Sequence, residues 1–327
     1  HYRENDMQIF RYRDGIAPNS FAFFYVLVGY PVSIYGLTTG NVLWYVAAIL
    51  LLAHSLVIAA YLLHECIHQT IFKNSKHNEW LGMLLAWITG ACYSDYLLLK
   101  KKHLRHHANR VDSLAIDMQT FFREHEFIYK AVGILEWLYI PAIELLTHIL
   151  AMLSPFFLPS RREQRGRVIT ILILRLVFFS ALAAWHWAIL PAYAIAYLLF
   201  LRVLGFMDAF QHIYEVRLNL DEENNTQEFD RDYEEKHTWS NLLSEKHEWL
   251  NLVVLNFCYH NVHHYRPGEP WYRLPRLHAA KYPANQPNLA VKEQLLDFHR
   301  YRSQRLLQTH NDDVNYGAAG VSFLAGI

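Results

Sequence analysis

Two long apolar runs near the start of the sequence constrain the fold more than any other feature. Residues 21–38 and 42–63 each approach the ~20 residues that an α-helix needs to cross about 30 Å of hydrocarbon. Two further runs, 168–187 and 189–210, have similar lengths and predict a transmembrane hairpin that turns near Pro191. Hydrophobic residues make up 53% of the chain and charged residues only 18%, which is typical of membrane proteins. We therefore predict an all-α integral membrane protein with about four transmembrane helices.

Two other apolar runs, 80–99 and 132–158, are interrupted by glycine, proline or acidic residues. Their assignment depends on three histidine clusters, at 64–68, 103–107 and 260–264. If these clusters share one membrane face, the chain must cross the membrane an even number of times between them. This favours four spanning helices and leaves 80–99 and 132–158 re-entrant or interfacial, although the polar residues of 132–158 could instead face the interior of the bundle.

Charge and cysteine content narrow the class of protein further. Lys+Arg and Asp+Glu both number 30, so no basic surplus suggests a nucleic-acid partner. Three scattered cysteines argue against a disulfide framework and against a cysteine-rich zinc site. Basic clusters at 100–102 and 161–167 belong on the cytoplasmic side under the positive-inside rule. We predict one membrane-embedded domain over 1–327, with a cytoplasmic helical cap formed by 64–131 and 211–310.

The histidine clusters have spacings that suit metal binding. They are HECIH at 64–68, HLRHH at 103–107 and HNVHH at 260–264. Positions i, i+3 and i+4 of a helix lie on one side, so each cluster is expected to aim its imidazoles at one point. Two copies of HxxHH are not expected by chance in a chain with 20 histidines in 327 residues. The eight candidate ligands are His64, His68, His103, His106, His107, His260, His263 and His264.

The number of histidines favours two metal ions. A zinc site takes four protein ligands, or three and a water, which is fewer than are present here. Imidazole also binds iron, copper and nickel, so ligand type leaves the metal open. His212, in FMDAFQHIYE, is a ninth candidate at the cytoplasmic end of the last spanning helix. Asp208 precedes it by one helical turn on the same face and is a candidate outer contact.

Two other classes of protein compete with this interpretation. HECIH also fits the HExxH motif of zinc metalloproteases, with His64 and His68 as ligands and Glu65 as general base. That reading leaves both HxxHH clusters unexplained. A metal transporter or storage protein would place ligands along a membrane pathway, whereas these clusters flank the apolar runs.

The three clusters together resemble the membrane fatty acid desaturase/hydroxylase superfamily, whose pattern is HxxxH, HxxHH and HxxHH. FQHIYE, at 210–215, is similar to the extra-histidine segment that members carry after the last membrane helix. PWYRLPRLH, at 270–278, resembles the segment after the third box in bacterial acyl-lipid desaturases and carotenoid ketolases. The likeness covers about residues 42–280.

The resemblance implies a cytoplasmic di-iron centre that uses O2 as co-substrate. It further implies a lipid or acyl substrate, an oxidised unactivated C–H bond, and a separate electron donor of the ferredoxin or cytochrome b5 type. Fatty acyl desaturation is the first expectation, with hydroxylase, carotenoid ketolase or acetylenase as alternatives. Asp208 stands where some members have asparagine, and Glu65 and Asp112 are candidate outer contacts of the ligands. The implied ligands are His64, His68, His103, His106, His107, His212, His260, His263 and His264.

An acidic segment at 215–236 follows the last apolar run. Runs of charge usually form solvated loops, and we interpret this one in that way. Docking of the electron donor is the alternative.

Overall fold

The structure is a computed structural model that describes residues 8–114, 118–212, 214, 216–218, 229–282 and 290–303, with backbone alone for 112–114, 118–120 and 216–218. Parts of the predicted acidic loop (219–228) and of the predicted cap (304–310) lie outside the described residues. Short 3-10 helices occur at Arg13–Gly15, Ala91–Tyr93, Pro159–Gln164, Glu248–Val254 and Trp271–Arg273. The α-helices are α1 Ile16–Gly36, α2 Val42–Ile67, α3 Ser75–Thr89, α4 Tyr96–Asn109, α5 Met118–Glu124, α6 Glu126–Trp137, α7 Ala142–Phe157, α8 Arg165–Trp185, α9 Ile189–Asp208, α10 Arg231–His237, α11 His260–Tyr265, α12 Leu274–Lys281 and α13 Val291–Tyr301.

Four stretches among the described residues are long and apolar enough to cross a membrane. They are Arg13–Gly36, Val42–Ile67, Pro159–Trp185 and Ile189–Asp208. The prediction of an all-α membrane fold with four stem helices is therefore confirmed. The second stretch runs past the predicted end at residue 63, so α2 carries the first histidine cluster on its final turns.

Small residues let α1 and α2 pack closely in the stem. A Cβ atom added to Gly29 would lie 2.6 Å from Ser55 Oγ, and one added to Gly36 would lie 2.9 Å from the Ala48 Cβ. Asn41 caps the start of α2, where its side chain accepts a hydrogen bond of 2.9 Å from the Leu43 amide. α2 is the most buried of the four stem helices, and the first histidine cluster lies at its end.

The apolar run at 80–99 does not form one continuous helix. α3 ends before Gly90, whose φ of 84° is the left-handed conformation that glycine adopts without steric cost. α4 then begins after Asp95, whose side chain accepts a hydrogen bond of 2.8 Å from the Leu97 amide. Arg175 of α8 donates hydrogen bonds to the Trp87 carbonyl and, at 3.4 Å, to Cys92 Sγ. These contacts hold the break in place and set the position of α4, which carries the second histidine cluster.

The run at 132–158 is also divided. Tyr139, with a φ of 65°, and Pro141 separate α6 from α7, and α7 has only 16 residues. Glu136 of α6 forms a buried ion pair of 2.9 Å with Arg202 of α9. Neither half reaches the length of the four stem candidates. The position of both divided runs relative to the bilayer stays a prediction.

Two three-residue strands link distant parts of the chain beside the histidine clusters. β1, Asp112–Leu114, pairs in parallel with β2, Val216–Leu218. β1 directly follows α4, and β2 follows α9. The pairing therefore places the end of the second histidine cluster near the carboxyl end of the last stem helix.

Candidate metal centre

The first two histidine clusters lie at the carboxyl ends of helices. His64 and His68 end α2, and the left-handed Gln69 (φ 58°) turns the chain away. His103, His106 and His107 occupy the last two turns of α4. Arg110, with a φ of 57°, closes that helix and donates its amide to the His106 carbonyl at 2.9 Å. The third cluster forms most of the short helix α11. All eight cluster histidines are at most 8% exposed.

The structure brings all nine predicted histidines together in two sets. Within each set the candidate ligand atoms all lie within 4.8 Å of one another. Group one consists of His64, His68, His103, His107 and His263. Group two consists of His106, His212, His260 and His264.

Each HxxHH cluster divides between the two groups, so the expectation that each cluster aims at one point is wrong. In the second cluster, His103 and His107 join group one and His106 joins group two. In the third cluster, His260 and His264 join group two and only His263 joins group one. Positions i and i+4 point in nearly the same direction, whereas i+3 and i+4 differ by about 100° around the helix axis. Adjacent histidines can therefore serve different metal ions.

The arrangement of ring nitrogens fits metal ions better than hydrogen bonding. In group one, the Nε2 of His103 lies 2.8 Å from that of His68 and 3.1 Å from that of His107, which lies 3.1 Å from that of His263. Each ring nitrogen carries either one proton or one lone pair in the ring plane, so hydrogen bonds cannot satisfy such a chain of contacts. In group two, both ring nitrogens of His260 are buried without a hydrogen-bond partner among the described residues. Converging lone pairs of this kind suit bound cations.

Electrostatics keeps these imidazoles in the form that binds metals. Burial, reinforced by the neighbouring imidazoles, lowers the pKa of His68, His103 and His107 well below the usual value. The same causes lower the pKa of His263 to about 3. Neutral histidine is the metal-binding form, so these side chains need to lose no proton at neutral pH.

Comparison with known families decides the relationship. The fatty acid desaturase family model matches residues 41–292, which is more than half of the chain and includes both histidine groups. The chain belongs to the fatty acid desaturase family. No curated protein matched the chain. The resemblance inferred from the three clusters is thus confirmed, and membership indicates an oxidoreductase that modifies lipids through a histidine-bound metal site.

In this desaturase family member, His212 reaches group two by a route that differs from the prediction. α9 ends at Asp208, and the chain turns there, with the Gln211 amide donating to the Asp208 carbonyl at 3.3 Å. His212 then forms an antiparallel bridge with Thr238, and its ring centroid lies 4.6 Å from that of His106. His212 and Asp208 therefore do not share a helix face, because the helix stops between them.

The three residues predicted to contact the ligands from outside lie in different surroundings. Glu65 is buried, but its Oε1 lies 3.7 Å from His64 Nδ1, which is longer than a hydrogen bond. Its Oε2 instead accepts hydrogen bonds from the Thr70 hydroxyl at 2.5 Å and the Trp271 amide at 3.2 Å. Asp208 is buried at the end of α9, and the Asp112 side chain lies outside the described residues. Roles for Asp208 and Asp112 stay predictions.

The position of Glu65 also weakens the protease interpretation. A general base must reach a water beside the metal. Here the carboxylate of Glu65 is buried and occupied by Thr70 and Trp271, and His64 and His68 belong to a group of five histidines rather than three. Glu65 instead links the first histidine cluster to Trp271, in the segment that follows the third cluster.

Loss of the Glu65 carboxylate is expected to destabilise the protein. In Glu65→Ala the buried Trp271 amide loses its acceptor, whereas Thr70 still has the Glu65 carbonyl at 3.1 Å. An unsatisfied buried donor costs about 1–3 kcal/mol. The unfolding midpoint of the detergent-solubilised protein measures this cost. Glu79→Ala is the control because Glu79 makes a surface ion pair with Lys100, and equal midpoints would contradict the expectation.

Two other contacts involve candidate ligands of group two. His106 Nδ1 lies 3.2 Å from the Val111 carbonyl, which can accept its proton and leave Nε2 for the metal. His264 Nδ1 lies 3.2 Å from Glu234 Oε1. Sequence reasoning missed Glu234 and placed it in a solvated acidic loop. No local pattern separates it from its acidic neighbours, because its partner lies 30 positions away.

Proposed function

We propose that the chain is an O2-dependent, membrane-bound di-iron enzyme that oxidises an unactivated C–H bond of a lipid. The introduction of a double bond into a fatty acyl chain is the reaction we favour. The observation that carries the proposal is the division of nine histidines into two buried groups whose ligand atoms converge, in a chain of the fatty acid desaturase family.

The two histidine groups determine how many imidazole ligands each metal ion would have. Group one would hold one iron with five imidazoles, and group two would hold the other with four. The bound iron pair would supply O2 activation and removal of hydrogen from the substrate. The surrounding chain keeps water away, since all eight cluster histidines are buried. Exclusion of water protects reactive chemistry from side reactions.

A small cavity of about 10 Å³, room for about one water molecule, lies against group one. Its polar walls include His64 and His263, and Leu255, Phe257 and Leu274 supply apolar walls. An alkyl chain would enter this cavity only if the side chains around it moved. An alkyl segment beside histidine ligands is the geometry that C–H oxidation requires.

The membrane setting supports the remaining parts of the proposal. The stem helices α2 and α9 lead directly into the two histidine groups, so a lipid in the bilayer would lie near the site. The basic clusters at 100–102 and 161–167 favour a cytoplasmic location for the site. The electron donor would be a separate protein of the ferredoxin or cytochrome b5 type.

Product analysis tests the reaction. We expect iron-loaded protein, supplied with an electron-transfer system and a mixed lipid extract, to form products that have lost two hydrogens. Mass spectrometry measures this change, and an anaerobic reaction is the control. Products that have gained one oxygen would instead show a hydroxylase, which would use the same ligands. Peptide cleavage without O2 would contradict the proposal.

A further inference from the structure

Glu234 lies between the second and third histidine clusters. It is on α10, is 7% exposed, and uses each carboxylate oxygen for a different partner. Oε1 lies 3.2 Å from His264 Nδ1, and Oε2 lies 3.3 Å from Arg110 Nε. One buried carboxylate therefore joins a group-two ligand to the residue that ends α4.

Arg110 also connects the end of α4 to the segment before α10. Its guanidinium donates a hydrogen bond of 2.7 Å to the Phe229 carbonyl, and the Phe229 amide donates to the Asn109 carbonyl at 3.2 Å. These contacts hold the chain before α10 against the end of α4, which carries His106 of group two. Glu234 is thus fixed relative to both clusters that supply group two.

The chemistry of the contact favours a positioning role. A carboxylate that accepts the Nδ1 proton of a histidine fixes the tautomer, so that Nε2 presents its lone pair to the metal and becomes more basic. The Nε2 of His264 lies 3.3 Å from that of His106, within group two. Tyr214 Oη also lies 3.3 Å from His264 Nδ1, but it is 2.6 Å from Thr238 Oγ1, with which it shares a shorter hydrogen bond.

We propose that Glu234 positions His264 for the metal ion of group two. This inference rests on the proposed two-metal function. It assigns a specific task to an acidic residue that the sequence places in a charged loop. The neighbouring Glu235 is a matched control, because its side chain is 58% exposed and pairs with Lys281 at 2.7 Å.

Metal titration of the full chain in detergent tests the inference. Protein stripped of metal is titrated with Co(II) against a competing chelator, and bound cobalt is followed by visible absorption and elemental analysis. We expect the wild type and Glu235→Gln to bind two equivalents. We expect Glu234→Ala to bind one equivalent with unchanged affinity and the other 10–100-fold more weakly, about the usual effect of losing such a partner.

A conservative variant keeps the test decisive if Glu234→Ala folds poorly. Glu234→Gln retains an acceptor oxygen but loses the charge, so we expect an intermediate weakening of one equivalent alone. Two equivalents bound as tightly as in the wild type would overturn the inference, as would equal weakening of both. Failure of the wild-type protein to bind two equivalents would instead overturn the proposed function.

Discussion

Alanine in place of His103 is expected to reduce lipid-dependent O2 consumption by at least about 100-fold, since loss of even an outer partner of a metal ligand costs 10–100-fold. His103 is buried, and its Nε2 lies within 3.1 Å of those of His68 and His107. Its loss removes one imidazole from group one and disturbs the placement of two others. The rate of O2 consumption per chain, with reductant and lipid present, measures the effect.

His77→Ala is the control for this substitution. His77 is exposed on α3 and lies outside both histidine groups. Turnover of His103→Ala near that of His77→Ala would contradict the assignment of group one.

The division of the HxxHH clusters gives this experiment a second readout. His103→Ala and His107→Ala are expected to weaken the same metal position, because both belong to group one. His106→Ala is expected to weaken the other position, although His106 and His107 are adjacent in sequence. Elemental analysis of double variants distinguishes the two positions. His103→Ala combined with His107→Ala is expected to retain one metal ion per chain, and His103→Ala combined with His106→Ala to retain none. Equal metal content in these two double variants would show that the clusters do not divide as the geometry indicates.

Arg202→Met is expected to destabilise the fold by about 3–5 kcal/mol, the usual cost of removing one partner from a buried ion pair. Glu136, 1% exposed, would keep a buried charge whose Arg202 partner at 2.9 Å has been lost. Arg202 Nε also donates to the Tyr139 carbonyl at 3.3 Å, beside the break that separates α6 from α7. Chemical denaturation of the detergent-solubilised protein measures the free energy of unfolding.

A second substitution tests the reason for this loss. Glu136→Gln combined with Arg202→Met removes the charge but keeps an acceptor for the Ile143 amide, which now bonds Glu136 at 2.9 Å. We expect this double variant to recover most of the lost stability. Lys130→Met removes an exposed pair with Glu126 and is expected to cost less than about 1 kcal/mol. Equal effects of Arg202→Met and Lys130→Met would contradict the buried-pair account.

The stem and the histidine set could be predicted from the sequence because both depend on local spacing. An apolar run of about 20 residues has few alternatives to a membrane helix. Histidines at HxxHH spacing lie on one side of a helix, so their proximity follows from the sequence. Which group each histidine joins depends on where α2, α4 and α11 meet, and that is tertiary information.

The features that sequence reasoning missed depend on contacts between distant residues or on where a helix stops. Glu234 meets His264 across 30 positions, so no local motif marks it. Asp208 and His212 have helical spacing, yet α9 ends between them. Glu65 directly follows the candidate ligand His64, but its carboxylate accepts a hydrogen bond from the Trp271 amide, 206 positions away.

Metal content measures the central claim most directly. Protein loaded anaerobically with Fe(II) and freed of excess metal is expected to retain about two iron ions per chain, one for each histidine group. Single substitutions in either group are expected to lower that content towards one. A single tightly bound zinc per chain, unaffected by substitution of His106, His260 or His264, would contradict the two-metal centre.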